Sequence, residues 1–468
     1  MTMASQQRTQ PKPFKRNDKD DETMTARLAA TKLKEGDVRG AIRLLCSTDS
    51  IAAQDAASLE KLQHLHPATP SDRRKSPTST VPPLTVSEGL VKAAIMSFPS
   101  GSAGGPDGFR PQHLKDIVSR SDDIGPLISS ITAFTNVLLA GNVPTSVRIF
   151  IFGGSITALN KKGGGIRPIA VGCTWRRLAA KVCYCSVAER ASHLLSPKQL
   201  GFGVKGGAEA AAHAARRYVE HWTPDKALVK VDFSNAFNTL RRDTILEAVN
   251  NHFPEILPFA SSTYDESSVL HFGRFALSSS EGAQQGDPLG PLYFCLAIHS
   301  LLSSLESEFV CGYLDDITIG DDVDTIEKDF IKLEQDAAHL GLNLNRSKCE
   351  IIASTDIPVK DLHARGIYLS QCTTKTACLL GAPLFKDGID EALASKYNEL
   401  KIMTKRLSLL PAHDSMHLLR NALAIPKLQY ILRTTPCFKS AELIRYDNTL
   451  RDSLQSILNV TLNDTCWR

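Results

Sequence analysis

Three carboxylates carry the first chemical signal. Asp232 lies in the run ALVKVDFSNAF (227–237), where Leu228, Lys230 and Asp232 fall on one face of a strand and Val229, Val231 and Phe233 on the other. Farther on, EFVCGYLDDITIG (308–320) sets Asp315 and Asp316 between two apolar runs, the pattern of a β-hairpin whose tight turn presents both carboxylates. Neighbouring carboxylates repel, and a divalent cation is the usual reason for keeping them close, since oxygen ligands suit Mg²⁺. Three carboxylates from two adjacent strands can hold two such ions about 3.5–4 Å apart, the arrangement used for in-line phosphoryl displacement. An Asp pair in a turn or an Asp at a strand end is also ordinary turn chemistry. The surrounding motifs must decide.

The elements that would position these groups can be read from the same sequence. Asp232 stands at the end of a strand, followed by a turn and the helical NTLRRDTILEAV. ALNKKGGGIRPIAV (158–171) reads as two strands joined by a Gly-rich turn at 163–165, carrying Lys161, Lys162 and Arg167. A solvated basic hairpin is the plain alternative to a phosphate-facing one. The formal charge of +4, from 54 Lys plus Arg against 50 Asp plus Glu, hides a division along the chain. Residues 124–188 hold seven Lys or Arg and no acid, which favours a polyanion-facing surface, whereas residues 315–336 hold nine acids and only Lys328 and Lys332. The acids after the Asp pair read as a solvated helix face.

With 42% hydrophobic residues the chain is neither disordered throughout nor fibrous. Its apolar stretch LGPLYFCLAIHSLLSSL (289–305) contains Pro291, His299 and serines, so it reads as a buried helix and not a membrane span. The eleven cysteines lack zinc-type spacing and read as free thiols, as expected of an intracellular protein of the nucleus or cytoplasm.

Taken together, the motifs resemble the reverse transcriptase domain of non-LTR (LINE-type) retrotransposons over roughly Phe98 to Leu384. Asp232 to Phe237 (DFSNAF) resembles the family's Asp-x-x-x-x-Phe/Tyr strand, and Tyr313 to Asp316 (YLDD) its Tyr-x-Asp-Asp hairpin. Between them QGDPL (285–289) resembles a third motif. GGPDGFRPQHL (104–114), QLGFGVKGG (199–207), GLNLNRSKCEI (341–351) and LLGAPL (379–384) resemble four more, in the family's order.

The resemblance implies an α+β right-hand polymerase: fingers, a palm whose antiparallel sheet packs on helices, and a helical thumb, preceded by a small helical N-terminal region. It implies that Asp232 and Asp315 are the main metal ligands, with Asp316 auxiliary and the Phe233 carbonyl completing one shell, for two Mg²⁺ ions that Mn²⁺ could replace. Lys161 and Arg167 would face the triphosphate, with Lys162 a lesser alternative. Phe237 would be the steric gate against a ribose 2′-hydroxyl, beside a small Ala236. Gln285 and Gly286 would touch the incoming nucleotide and template base, Gly286 because a side chain would obstruct them, and Lys348 would assist pyrophosphate departure. Core aromatic for Phe237 and surface lysine for Lys348 are the plain alternatives. Asn238, where many relatives have Asp, and Leu314, at the variable hairpin position, depart from the pattern.

The expected boundaries are a disordered basic tail at 1–22, a helical region at 23–66, a linker at 67–84, fingers at 85–225, a palm at 226–385 with room for finger-type insertions, and a helical thumb at 386–468, complete or truncated. The partners implied are an RNA template, a DNA primer and dNTPs, with no membrane. A nuclease is expected to be separate or missing, because the N-terminal 85 residues are short for an endonuclease domain. Two other readings stay open: a domesticated or decayed element acting as an RNA-binding module, and a viral-type RNA-dependent RNA polymerase, which Phe237 disfavours.

Overall fold

The computed structural model describes residues 18–46, 50–120, 124–161 and 164–467, so most of the expected basic tail lies outside the described residues. Two compact units result. One gathers residues 18–46, 393–429 and 441–467; the other holds residues 50–392 and 430–440. The stretch read as one helical region, 23–66, is divided between them.

All strands of the described residues lie in the second unit. They are β1 (Gly154–Asn160), β2 (Ile166–Gly172), β3 (Lys226–Val231), β4 (Phe233–Ser234), β5 (Ser268–Phe272), β6 (Phe275–Ser279) and β7 (Phe309–Tyr313). The rest are β8 (Asp316–Asp322), β9 (Asn343–Leu344), β10 (Glu350–Ala353), β11 (Ser370–Gln371), β12 (Cys378–Leu379) and β13 (Ala382–Pro383). The expected α+β class is what the structure shows. A five-stranded sheet runs β11-β10-β3-β8-β7, and a four-stranded sheet runs β2-β1-β5-β6. Within the first, β3 is antiparallel to both β8 and β10.

The alternation of β3 sorts its side chains between two cores. Val229, Val231 and Phe233 enter the larger core with Ile245 and Leu246 of the helix Arg242–His252, Phe294 of the helix Gly290–Ala297 and Phe330 of the helix Val323–His339. Leu228, on the other face, packs with Ala211 and Ala215 of the helix Gly207–His221 and with Leu379. Lys230 and Asp232 share the face of Leu228 but lie beyond its apolar cover. Fully burying an aliphatic side chain is worth about 1.5–3 kcal/mol, so this two-sided burial fixes the register: a slip by one residue would turn Asp232 into the core.

The four-stranded sheet is covered by the helix Ala56–Leu65, whose Leu62 is buried with Ile156, Ala158 and Ile166. Asp55 caps that helix by accepting the Ser58 N–H at 2.8 Å, which satisfies one donor of its first turn. Residues 50–52 run along β1 beyond its short pairing with β5, where the Ala52 N–H donates to the Ala158 carbonyl at 2.9 Å. The segment 67–84 lies against the sheet-backing helices: the Arg74 N–H donates to Asp243 and the Leu84 N–H to the Glu255 carbonyl.

The first unit is helical. Asp18–Lys34, Val38–Cys46, Ala412–Leu418 and Ala441–Leu458 belong to it, with most of Ile389–Leu407. Arg406 donates to the Leu45 carbonyl at 2.9 Å and Tyr446 to the Leu423 carbonyl at 3.2 Å, so helices distant in sequence meet there. The apolar run 289–305 forms a buried helix, Gly290–Ala297, and a shorter one, His299–Ser303, that buries Leu301 and Leu302, and no helix among the described residues is long and apolar enough to cross a membrane. All eleven cysteines are free.

Candidate active site at the end of the central sheet

The antiparallel register brings the three carboxylates together. Val231 pairs with Ile317, so Asp232 leaves β3 beside Asp316 at the start of β8. Tyr313 and Asp316 close the β7–β8 hairpin, leaving Leu314 and Asp315 as its two-residue turn, with Leu314 at φ +56°. Such turns need a left-handed residue to match the strand twist. Asp232 is held by the residue that follows β9: its carbonyl accepts the Asn345 N–H at 2.8 Å.

Electrostatics report the crowding. Burial pushes the Asp315 carboxyl above its ordinary range and the Asp232 charge adds to it, while Arg167 and Lys161 pull it back. The surrounding protein likewise raises the Asp316 carboxyl, then Asp315 and Asp232 do, against Lys230. Lys161 and Arg167 are exposed and come from the β1–β2 hairpin, where the Lys161 N–H donates to the Gly165 carbonyl at 2.7 Å. Lys162 lies outside the described residues. Among those described, no three His, Cys, Asp or Glu side chains are already gathered as a metal centre. The donor set nonetheless fits a hard cation: three mutually repelling carboxylates, no soft ligand among them.

A cleft of about 470 Å³ opens on this face, lined by Lys230, Asp232, Asp316, Lys348, Leu379 and Leu380 among others. Lys348 is exposed at its rim. Lys230, which the sequence reading left without a role, forms an ion pair of 2.5 Å with Glu350 directly across β10. The alternation that placed Asp232 on this face was also the signal for Lys230.

Other expected residues occupy more structural positions. Phe237 is half-buried and stacks on Phe294, ring centroids 4.7 Å apart at 20°. Ala236 is buried beside it, at the start of a short helix that follows Asn235 at φ +54°. Asn238 is buried and donates to the Asn235 side chain at 2.6 Å. The Gln285 carbonyl accepts the Ala170 N–H at 2.7 Å, tying its loop to β2. Gly286 has φ +124°, and a Cβ there would stand 2.1 Å from the Ala170 carbonyl oxygen, so the contact that requires glycine is with β2's own backbone.

Behind that loop lies a buried network that the sequence reading missed. Arg176 donates to Asp287 at 2.8 Å, to Gln284 at 2.6 Å and to the Phe152 carbonyl at 2.9 Å. Tyr264 donates to the same Asp287 oxygen at 2.6 Å, and Asp287 also accepts the Leu289 N–H at 2.9 Å. Burial works against the Arg176 charge and Asp287 restores it. Arg242, fully buried and pushed down to about 10 by that burial, faces the Tyr264 ring at 4.9 Å and donates to the Gly282 carbonyl at 3.1 Å. The available signal was a charged residue on an apolar helix face, Arg176 with Ala179, Ala180 and Cys183 three, four and seven residues on. The acid-free segment is therefore not one polyanion-facing surface: Arg176 faces inward, and Arg148 pairs with Glu266 at 3.2 Å. Nor is the acidic run all solvated, since Asp329 is buried and accepts the Ser307 N–H at 2.8 Å.

Among solved structures, the chain is similar to apo telomerase from Candida tropicalis, with a TM-score of 0.41 and 12% identity over 71% of this chain and 67% of that one. The Retrotransposable element SLACS 132 kDa protein of Trypanosoma brucei gambiense is 26% identical over 57% of this chain and 23% of its own length. The Pol polyprotein from the type-2 retrotransposable element R2DM of Drosophila melanogaster is 26% identical over 48% of this chain and 21% of its own length. The chain thus spans less than a quarter of either relative. The family model "Reverse transcriptase (RNA-dependent DNA polymerase)" matches residues 159–384, from the β1–β2 hairpin through the three carboxylates to the end of the 379–384 motif. These residues are a reverse transcriptase domain, whose relatives are non-LTR retrotransposon proteins.

Proposed function

We propose that this chain is an RNA-directed DNA polymerase that adds deoxynucleotides to a primer 3′-hydroxyl on an RNA template. One observation carries the reading: the β3–β8 register sets Asp232 beside Asp316, next to Asp315 in the β7–β8 turn, at a cleft that Lys230 and Lys348 also line. Carboxylates and lysines at one cleft suit a metal-bound triphosphate.

Asp232, Asp315, Asp316 and the Phe233 carbonyl would hold a pair of Mg²⁺ ions, or Mn²⁺ in their stead; when bound, such ions activate the 3′-hydroxyl and offset charge on the departing pyrophosphate. Lys161 and Arg167 bind and orient the triphosphate oxygens. Lys348, which lines the cleft, assists the departure of the pyrophosphate. Phe237, held by its stack on Phe294, bars a 2′-hydroxyl, and Ala236 leaves room for the sugar. Gln285 and Gly286 border the nucleotide and template base. In this reading residues 85–225 act as fingers, 226–385 as palm and 386–468 as a helical thumb, with an RNA template and DNA primer as partners.

The test is primer extension on poly(rA)/oligo(dT) with Mg²⁺. Product with dTTP and none with UTP is expected, and Asp315→Asn should abolish it while leaving template affinity nearly unchanged. Product with UTP alone would point to an RNA polymerase. No product with either nucleotide, together with salt-sensitive RNA binding, would point to a binding module.

A further inference from the structure

The β7–β8 turn sits on a side chain that comes from far earlier in the sequence. Gln199 is fully buried, and its amide meets the backbone of Leu314 on both sides. Its Oε1 accepts the Leu314 N–H at 2.8 Å and the Gly201 N–H at 3.0 Å, and its Nε2 donates to the Leu314 carbonyl at 3.2 Å. The backbone around it is stitched to β7 as well. The Gly312 N–H donates to the Lys198 carbonyl at 2.6 Å and the Leu200 N–H to the Gly312 carbonyl at 2.8 Å, so Gln199 bridges in parallel with Gly312. Lys198 in turn donates to the carbonyls of Leu302, Ser303 and Leu305 at 3.0–3.2 Å, which anchors the segment to the helix His299–Ser303.

Leu314 is what needs holding. Its φ of +56° is a conformation in which a side chain with a Cβ is strained, and glycine is the residue that adopts it freely. A leucine remains there when its surroundings over-determine the backbone. The two glycines flanking the contact admit it: a Cβ on Gly201 would stand 2.5 Å from the Leu314 nitrogen, and one on Gly312 would stand 3.0 Å from the Gln199 Nε2.

We infer that Gln199 is a positioning residue for the polymerase reaction: its amide clamps the left-handed backbone of Leu314 and so sets the direction in which Asp315 and Asp316 leave the turn. The inference rests on the proposed activity for its consequence, but the clamp itself is open to a measurement that needs no activity. In Gln199→Met, which keeps the length and loses the hydrogen bonds, amide exchange over residues 311–316 of the full chain rises. The kcat for dTTP incorporation falls about ten- to a hundredfold, as expected for small displacements of reacting groups, with little change in KM.

The discriminating variant is Gln199→Met combined with Leu314→Gly, compared with each single change. Glycine needs no clamp, so the second substitution recovers part of the lost kcat, whereas a Gln199 that merely filled the core would give losses that multiply. Gln199→Asn, which keeps the amide but is one methylene short, serves if the Met variant does not fold, and the same rescue is expected. Unchanged exchange over 311–316, or multiplying losses, overturns the clamp. A wild-type chain without polymerase activity overturns the function instead, and leaves the clamp to be judged by exchange alone.

Discussion

Asp287→Asn tests the buried network that backs the nucleotide-side loop. The carboxylate lies 2.8 Å from Arg176, and both side chains are almost wholly excluded from solvent, at 2% and 3% exposure. Asn can still accept a hydrogen bond, but it leaves the guanidinium charge buried without its counter-ion. Breaking a buried pair from one side costs about 3–5 kcal/mol, and the retained acceptor places this change near the lower figure. For a unit of about 350 residues, an unfolding entropy of about 2.1 cal/mol/K per residue gives about 0.7 kcal/mol/K, so a loss of 3 kcal/mol lowers the melting temperature by about 4 °C. The loop carries Gln285 and Gly286, so KM for dNTP should rise more than kcat falls. Circular dichroism melts of Asp287→Asn, Arg176→Met and the pair Arg176→Met/Asp287→Asn form a cycle, in which the double variant is expected to melt above Arg176→Met alone and to lose less than the sum of the two. A single variant melting within 1 °C of wild type, or a double variant whose loss is the sum of the two, would refute the claim that this pair holds the loop.

Three further outcomes follow from particular contacts. Phe237→Ala removes the ring stacked on Phe294, and should lower discrimination between dTTP and UTP by about tenfold along with thermal stability; unaltered sugar selectivity would return Phe237 to a packing role alone. Gly286→Ala places a Cβ against the Ala170 carbonyl at a positive φ, a strain of about 1–3 kcal/mol that should cut primer extension strongly and show as altered exchange in β2. Asp243 is buried, which raises its pKa, but Arg241 and Arg74 lower it further, so the folded carboxyl ionises well below its unfolded value. Its contribution to stability is therefore present above about pH 4 and lost as pH falls through the folded value, so Asp243→Asn should destabilise at pH 7 and converge with wild type in acid melts.

What could be read from the sequence is what local pattern controls. Asp232 was placed by a period of two within one strand, Asp315 and Asp316 by a turn between two apolar runs, and Lys161 and Arg167 by a Gly-rich hairpin; each needs only its neighbours in sequence. What could not be read joins residues far apart: Arg176 to Asp287 across 111 positions, Gln199 to Leu314 across 115. No periodicity announces such pairs. The allocation of residues 23–46 and 50–66 to different units was equally hidden, since a helical stripe shows that a face is buried but not against what.

The two kinds of information also differ in what they determine. Patterning brings three repelling carboxylates to one place, which by itself favours their spreading apart. The long-range polar contacts resist that spreading, because each pins a backbone rather than a charged tip. Gln199 holds Leu314, and the Asn345 N–H holds the Asp232 carbonyl. A buried amide or ion pair has a directional optimum within tenths of an ångström and is costly to leave unmade, whereas an apolar contact tolerates sliding. An aim of that sharpness at the carboxylates must therefore come from buried polar groups, and a sequence search for such groups should begin with polar residues on faces that patterning marks as apolar.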